Sequence, residues 1–264
     1  MNKKCNSEST FWKMVSEEKT FIHGGGQVQN IKIPQNLPQL FPPINSFFCE
    51  MFPNAEYKIT YEMLMGPKNS FFCWHKDPYG INALNYLWKG GVKHWYVIPS
   101  KNRQEFKKLI NTKVKKSKCQ NEYLHTKVLT KPNLLHELGQ KIVQESNDVV
   151  LLFNNVYHSG INLGANLCFT ANYATPNWIE NIEVDDCKCG AHMTQVDCDN
   201  IRRRFKKYQE NGEKWSFLHI SNFKIKHKYH AIFSKPRRYA STFFKGFMLT
   251  LLSLYSIMVF SSKN

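Results

Sequence analysis

Acid is scarce in this sequence. Twenty Asp and Glu stand against 36 Lys and Arg, giving a formal net charge of +16 at pH 7, and such a surface suits nucleic acid, chromatin or an anionic membrane better than a cationic partner. The excess is concentrated, because residues 201–245 carry thirteen Lys and Arg and only two Glu. An apolar leader is also missing: the chain opens MNKKCNSEST, which does not read as a secretory signal. No repeat period is visible, which excludes a solenoid array. Nor does the chain depend on disulfides, since eight cysteines are spread through 264 residues that have ample apolar material for a core. A reducing compartment follows, and there clustered Cys and His are better read as metal ligands than as cross-links. What is present is 42% hydrophobic and 14% aromatic residues, enough to exclude a disordered or collagen-like chain and to fill one or two domains.

Glycines 24–26 and Pro34, Pro38, Pro42 and Pro43 make the first 45 residues an irregular N-terminal flank. From there the chain turns to short β-favouring runs over residues 58–65, 93–98, 148–153 and 167–173, with helical patterns over 100–110, 132–138 and 197–208. Many strands with brief helices between them predict an antiparallel sandwich or barrel rather than an alternating α/β sheet. The expected layout is a barrel over 46–190, a helix over 191–212 and a basic, then hydrophobic, tail over 213–264. Residues 243–260 are mostly apolar, with Lys245 the single charge. They are slightly short for a membrane span, so a tail packed on the domain and a membrane contact both remain open.

Chemistry concentrates first in Trp74-His75-Lys76-Asp77. Residues i and i+2 of a strand share a face, which places the imidazole of His75 beside the carboxylate of Asp77. A third ligand is available in His158, which follows another apolar strand. Two histidines and one carboxylate leave open coordination positions that suit Fe(II). Lys93 begins the strand Lys93-His94-Trp95-Tyr96-Val97-Ile98 and shares a face with Trp95 and Val97. Directed into an apolar barrel, its ammonium needs an anion, for which a dicarboxylate co-substrate would serve; on an edge strand it would instead meet solvent. A second cluster, Cys119 and His125 with Cys187 and Cys189, has the composition of a closed structural zinc site stapling two remote segments. The alternative is that these are simply buried thiols, as read for the remaining cysteines.

Together these phrases resemble the JmjC domain, and within it the lysine-specific demethylase 4 group. The matching stretches are FCWHKD from Phe72, INALNYL from Ile81, KHWYVIP from Lys93, YHSGIN from Tyr157 and NYATPNWI from Asn172, in the order and spacing of that group. The resemblance extends over residues 11–210. It implies a mainly β fold, a double-stranded β-helix of jelly-roll or cupin type, with flanking helices and a structural zinc site. It further implies Fe(II) held by His75, Asp77 and His158, and 2-oxoglutarate held by Lys93, contacted by Asn85 and walled by Trp95. Zinc would sit on Cys119, His125, Cys187 and Cys189, and Thr170 and Asn172 would line a methyl-lysine pocket. The implied activity is oxidative demethylation of methylated lysine on histone H3, in the nucleus. A scaffold or reader of chromatin and a protein hydroxylase of the same chemistry are the alternatives.

Two departures from that group stand out. Asp77 replaces a glutamate, a shorter ligand that the wider JmjC family uses. Leu64 stands where the group has a tyrosine beside the methyl-ammonium and offers no acceptor for weak C–H···O contacts. The JmjN segment that precedes the domain in that group is expected to be absent. Outside the resemblance, the basic stretch 201–245 is expected to contact DNA phosphates, and Arg202-Arg203-Arg204 with Lys206-Lys207 reads as a nuclear import signal.

Overall fold

The computed structural model describes residues 5–17, 24–28, 62–113, 128–135, 137–173, 176–182, 198–211, 223–230 and 255–262. Strands β1 (Gly26–Val28), β2 (Glu62–Gly66), β3 (Phe71–His75), β4 (Asn82–Gly90) and β5 (Lys93–Ile98) come first. They are followed by β6 (Gln140–Gln144), β7 (Asp148–Leu152), β8 (Tyr157–Asn162), β9 (Asn166–Tyr173), β10 (Phe223–His230) and β11 (Tyr255–Ser262). They form one sheet in the order β1-β2-β9-β4-β7-β11-β10 and another in the order β3-β8-β5-β6, with every named pair antiparallel. From β2 to β9 the chain crosses from one sheet to the other at each step except between the paired strands β5 and β6, which is the winding of a jelly roll. The expected double-stranded β-helix is therefore the observed fold.

The core follows from strand alternation. On β5, Trp95 and Val97 face inward and pack with Ile142, Val150, Leu152 and Val156 between the sheets. Tyr96 and Ile98 face outward, yet they too are buried, in a second cluster with Phe11, Trp74, Phe106 and Ile110. Two helices supply that cover: α1 (Cys5–Ser16) and α2 (Arg103–Lys113). A strand buried on both faces reads as a continuous apolar run, and this is why β5 is unbroken by polar residues after His94.

The N-terminal flank, expected to be irregular over residues 1–45, begins instead with helix α1. Its residues have no strong intrinsic pattern, but Phe11 is fully buried and meets the Phe71 ring at 6.3 Å, and Trp12 Nε1 donates to Tyr96 Oη at 3.3 Å. Burial of a large aromatic side chain contributes about 2–3 kcal/mol, so tertiary packing outweighs weak local propensity. Polar contacts then fix the helix on the sheet. Tyr96 Oη donates to Glu8 Oε1 at 2.6 Å, Lys141 Nζ reaches Glu8 Oε2 at 2.9 Å, and His94 Nδ1 lies 3.1 Å from the same oxygen.

At the other end, β11 joins the large sheet by pairing with β7, from Ile257 opposite Leu152 to Ser261 opposite Asp148. The apolar C-terminus thus supplies a strand over Tyr255–Ser262, in keeping with a tail packed on the domain, while residues 243–254 lie outside the described residues. No helix among the described residues is long and apolar enough to cross a membrane. Helix α3 (Pro176–Glu180) and helix α4 (Cys198–Glu210) follow β9. In α4, Ile201 and Phe205 are buried and Arg202, Arg203, Arg204, Lys206 and Lys207 are exposed.

Candidate active site

The two histidines meet because their strands pair: His75 at the end of β3 stands opposite His158 on β8. Their rings lie 4.2 Å apart between centroids. Asp77 follows just after β3 rather than on it, with Oδ1 3.9 Å from His75 Nε2. The loop carrying it turns sharply through left-handed Tyr79 and Gly80. A side chain at Gly80 would collide with the amide of Asn155, which belongs to the loop before β8. One potential ligand atom from each of His75, Asp77 and His158 lies within 4.8 Å of the other two.

Hydrogen bonding decides which atoms are available. The Nδ1 of His75 bonds the Cys73 carbonyl at 2.8 Å and that of His158 bonds the Val156 carbonyl at 3.1 Å. A carbonyl only accepts, so in both rings Nδ1 carries the proton and Nε2 keeps its lone pair for a metal. Burial, reinforced by the neighbouring His75, holds the His158 imidazole well below its ordinary pKa and so neutral, against an opposing effect of its bond to Val156. Burial pushes the Asp77 carboxyl above its usual range, opposed by His75 and by a hydrogen bond from Asn172. That bond, Asn172 Nδ2 to Asp77 Oδ2 at 2.9 Å, orients the carboxylate so that Oδ1 faces His75. A neutral, tautomer-fixed pair of imidazoles beside an oriented carboxylate is a donor set that fits a divalent first-row metal.

The cluster opens on a cavity of about 300 Å³ between the sheets. Lys93 lies on its wall, 5% exposed, with Nζ 3.4 Å from Cys168 Sγ and 5.3 Å from the Trp95 ring centroid. The inward placement read from strand alternation is thus the observed one. Asn85, 6% exposed, donates to the same sulfur at 3.5 Å, while its Oδ1 has no hydrogen-bond partner. A buried ammonium that meets only sulfur and aromatic faces is costly unless an anion joins it, so Lys93, with the Asn85 amide N–H as a further donor, fits a carboxylate. Trp95 and Phe72 wall this part of the cavity. Thr170 and Asn172 also line it, but the Thr170 hydroxyl donates to the Leu84 carbonyl at 2.9 Å and Asn172 is engaged with Asp77. Leu64 lies on the wall as well.

Residues 62–173 match the family model described as JmjC domain, hydroxylase. Over these residues the chain is similar to JmjC domains. Three curated relatives agree. Lysine-specific demethylase 4D of Rattus norvegicus is 30% identical over 159 residues, covering 58% of this chain and 31% of the relative. Probable lysine-specific demethylase 4F of Homo sapiens is also 30% identical, with 58% and 25% covered. Lysine-specific demethylase 4B of Mus musculus is 28% identical, with 58% and 14% covered. The chain spans less than a third of the length of these relatives.

Within residues 62–173, the structure gathers His75, Asp77, His158, Asn85, Lys93, Trp95, Thr170 and Asn172 around one cavity. Cys119, His125, Cys187 and Cys189 lie outside the described residues. Two residues were not legible as parts of the site. Gln144, fully buried, accepts the Trp95 indole N–H at 2.8 Å and donates to the carbonyls of Asn85 and Asp148, at 2.9 and 3.1 Å, which fixes the Trp95 wall. Cys168 places its sulfur between Lys93 and Asn85. Alternation along β9 puts Cys168 on the same face as Thr170 and Asn172, but only the packing of β5 against the large sheet brings Lys93 to it.

Proposed function

We propose that the protein is an Fe(II)- and 2-oxoglutarate-dependent dioxygenase that demethylates methylated lysine on histone H3. The carrying observation is the convergence of His75, Asp77 and His158, both imidazoles with Nε2 free, beside the buried ammonium of Lys93. His75, Asp77 and His158 would hold the iron. Lys93 and Asn85 would take the distal carboxylate of 2-oxoglutarate, and Phe72 and Trp95 would exclude water from it. When bound, iron with 2-oxoglutarate supplies the oxidising power that hydroxylates an N-methyl carbon, which then leaves as formaldehyde. The chain's own work is to orient. Asn172 holds Asp77 in place, the Cys73 and Val156 carbonyls hold the two rings, and Thr170 and Leu64 shape the wall beside the substrate.

The same resemblance supports structural zinc on Cys119, His125, Cys187 and Cys189, and a nuclear location with chromatin as partner. The exposed basic face of α4 supports contact with DNA phosphates. The test is to incubate the protein with iron, ascorbate, 2-oxoglutarate and methylated histone H3 peptides and to follow methyl loss by mass spectrometry. Methyl loss that disappears in His158→Ala is the expected result. Leu64 on the cavity wall favours a second reading, a protein hydroxylase of the same chemistry, which would release succinate and add oxygen to a peptide without removing a methyl group. Neither succinate nor peptide change would favour a chromatin scaffold.

A further inference from the structure

Cys168 is a cavity residue whose chemistry the proposed reaction leaves unused. It is 1% exposed overall yet lines the cavity, and its sulfur faces three groups: Lys93 Nζ at 3.4 Å, Asn85 Nδ2 at 3.5 Å and the Leu64 carbonyl at 3.7 Å. The first two are the donors that the co-substrate reading assigns to a carboxylate. Independently of the thiol, the Lys93 ammonium is 5% exposed and finds aromatic faces but no carboxylate among the described residues. The site is therefore short of one anion, and a buried cation gains strongly when an anion forms beside it.

We propose that Cys168 is an oxidative modification site whose sulfinate form occupies the anion position between Lys93 and Asn85 and so excludes 2-oxoglutarate. The oxidant class is a hydroperoxide, with hydrogen peroxide as the simplest member. In the first step the sulfur attacks one peroxide oxygen, the O–O bond breaks, and the thiol becomes a sulfenic acid with release of water. A second peroxide molecule adds the second oxygen with release of another water, and the sulfinic acid yields its proton to solvent. Each step oxidises sulfur by two electrons and reduces one peroxide. The resulting anion sits against Lys93, with the Asn85 amide as a further donor. Two anions cannot share that place, so modification and co-substrate binding are mutually exclusive.

The inference rests on the co-substrate reading of Lys93 and Asn85, and the experiment separates the two. The full-length protein, stripped of metal by a chelator, is treated with hydrogen peroxide with and without 2-oxoglutarate. Peptide mass spectrometry then follows the addition of two oxygen atoms to Cys168, with Cys73 as an internal comparison. The expected result is dioxidation of Cys168 that slows about tenfold when 2-oxoglutarate is present at about ten times its Kd, by mass action. Cys73, whose thiol burial pushes up to about 11, shows no such protection. Calorimetry on the oxidised protein shows loss of 2-oxoglutarate binding, whereas Cys168→Ser binds it equally before and after peroxide. Absence of dioxidation at Cys168 overturns the proposal, as does equal oxidation with and without 2-oxoglutarate in a sample that binds it. Failure of the untreated protein to bind 2-oxoglutarate overturns the co-substrate reading, and with it the claimed exclusion.

Discussion

Asn172 illustrates how much of this site depends on groups that orient a candidate metal ligand. Sequence resemblance places it in a methyl-lysine pocket, while the structure shows its amide on Asp77 Oδ2 and, at 3.3 Å, on the Asn82 carbonyl. A partner that orients a metal-binding carboxylate commonly accounts for a 10–100-fold difference in metal affinity. Asn172→Ala is expected to weaken Fe(II) binding by about that factor, read by competition against a metal-sensitive dye, with an unchanged circular dichroism spectrum. The meeting of His75 and His158 was legible from residue type and strand position, whereas Asp77 lies just past the strand on which it was expected. The roles of Asn172 and Gln144 were not legible, because an amide's partner is fixed by which strands lie side by side and at what register.

The elements of the barrel were largely legible, and those around it were not. The expected strands over 93–98 and 148–153 are β5 and β7 almost residue for residue, because unbroken β-branched and aromatic runs leave little choice. Helix α1 escaped because its stability lies in contacts with β5 and β6, 80 or more positions away. Those contacts give it a measurable pH signature. Burial raises the Glu8 pKa, but His94, Tyr96 and Lys141 more than offset this and hold it at about 2, against an ordinary 4.5. A carboxyl depressed in the folded state contributes stability that is complete above pH 4.5 and lost as pH falls towards 2. That contribution is roughly 2–3 kcal/mol. Chemical denaturation of Glu8→Gln should show a flatter dependence between those pH values than the parent protein. β11 offers a second test at this scale. Val259 is paired on one side with Val150 and on the other with His227, so Val259→Pro removes a ladder hydrogen bond inside the sheet. A loss of roughly 3 kcal/mol in unfolding free energy is expected.

For the whole molecule, charge and fold divide the work. The cavity is buried in the jelly roll, whereas the basic excess lies in residues 201–245, of which α4 presents five exposed cations opposite its buried Ile201 and Phe205. If these cations neutralise phosphates, binding to duplex DNA falls log-linearly with salt. Replacing Arg203, Arg204, Lys206 and Lys207 with Gln should make that slope shallower by up to about four without altering 2-oxoglutarate affinity; an unchanged slope would mean the face is only solvated. The composition was compatible with an acidic partner but could not place the basic face relative to the cavity, since that depends on how α4 packs after β9.

If the two imidazoles and the carboxylate form a single metal site, elemental analysis after anaerobic reconstitution will register it. Iron equimolar with the chain is expected in the parent protein, and near-background iron in a folded His158→Ala variant. Equal iron in both, or none in the parent protein, would contradict it.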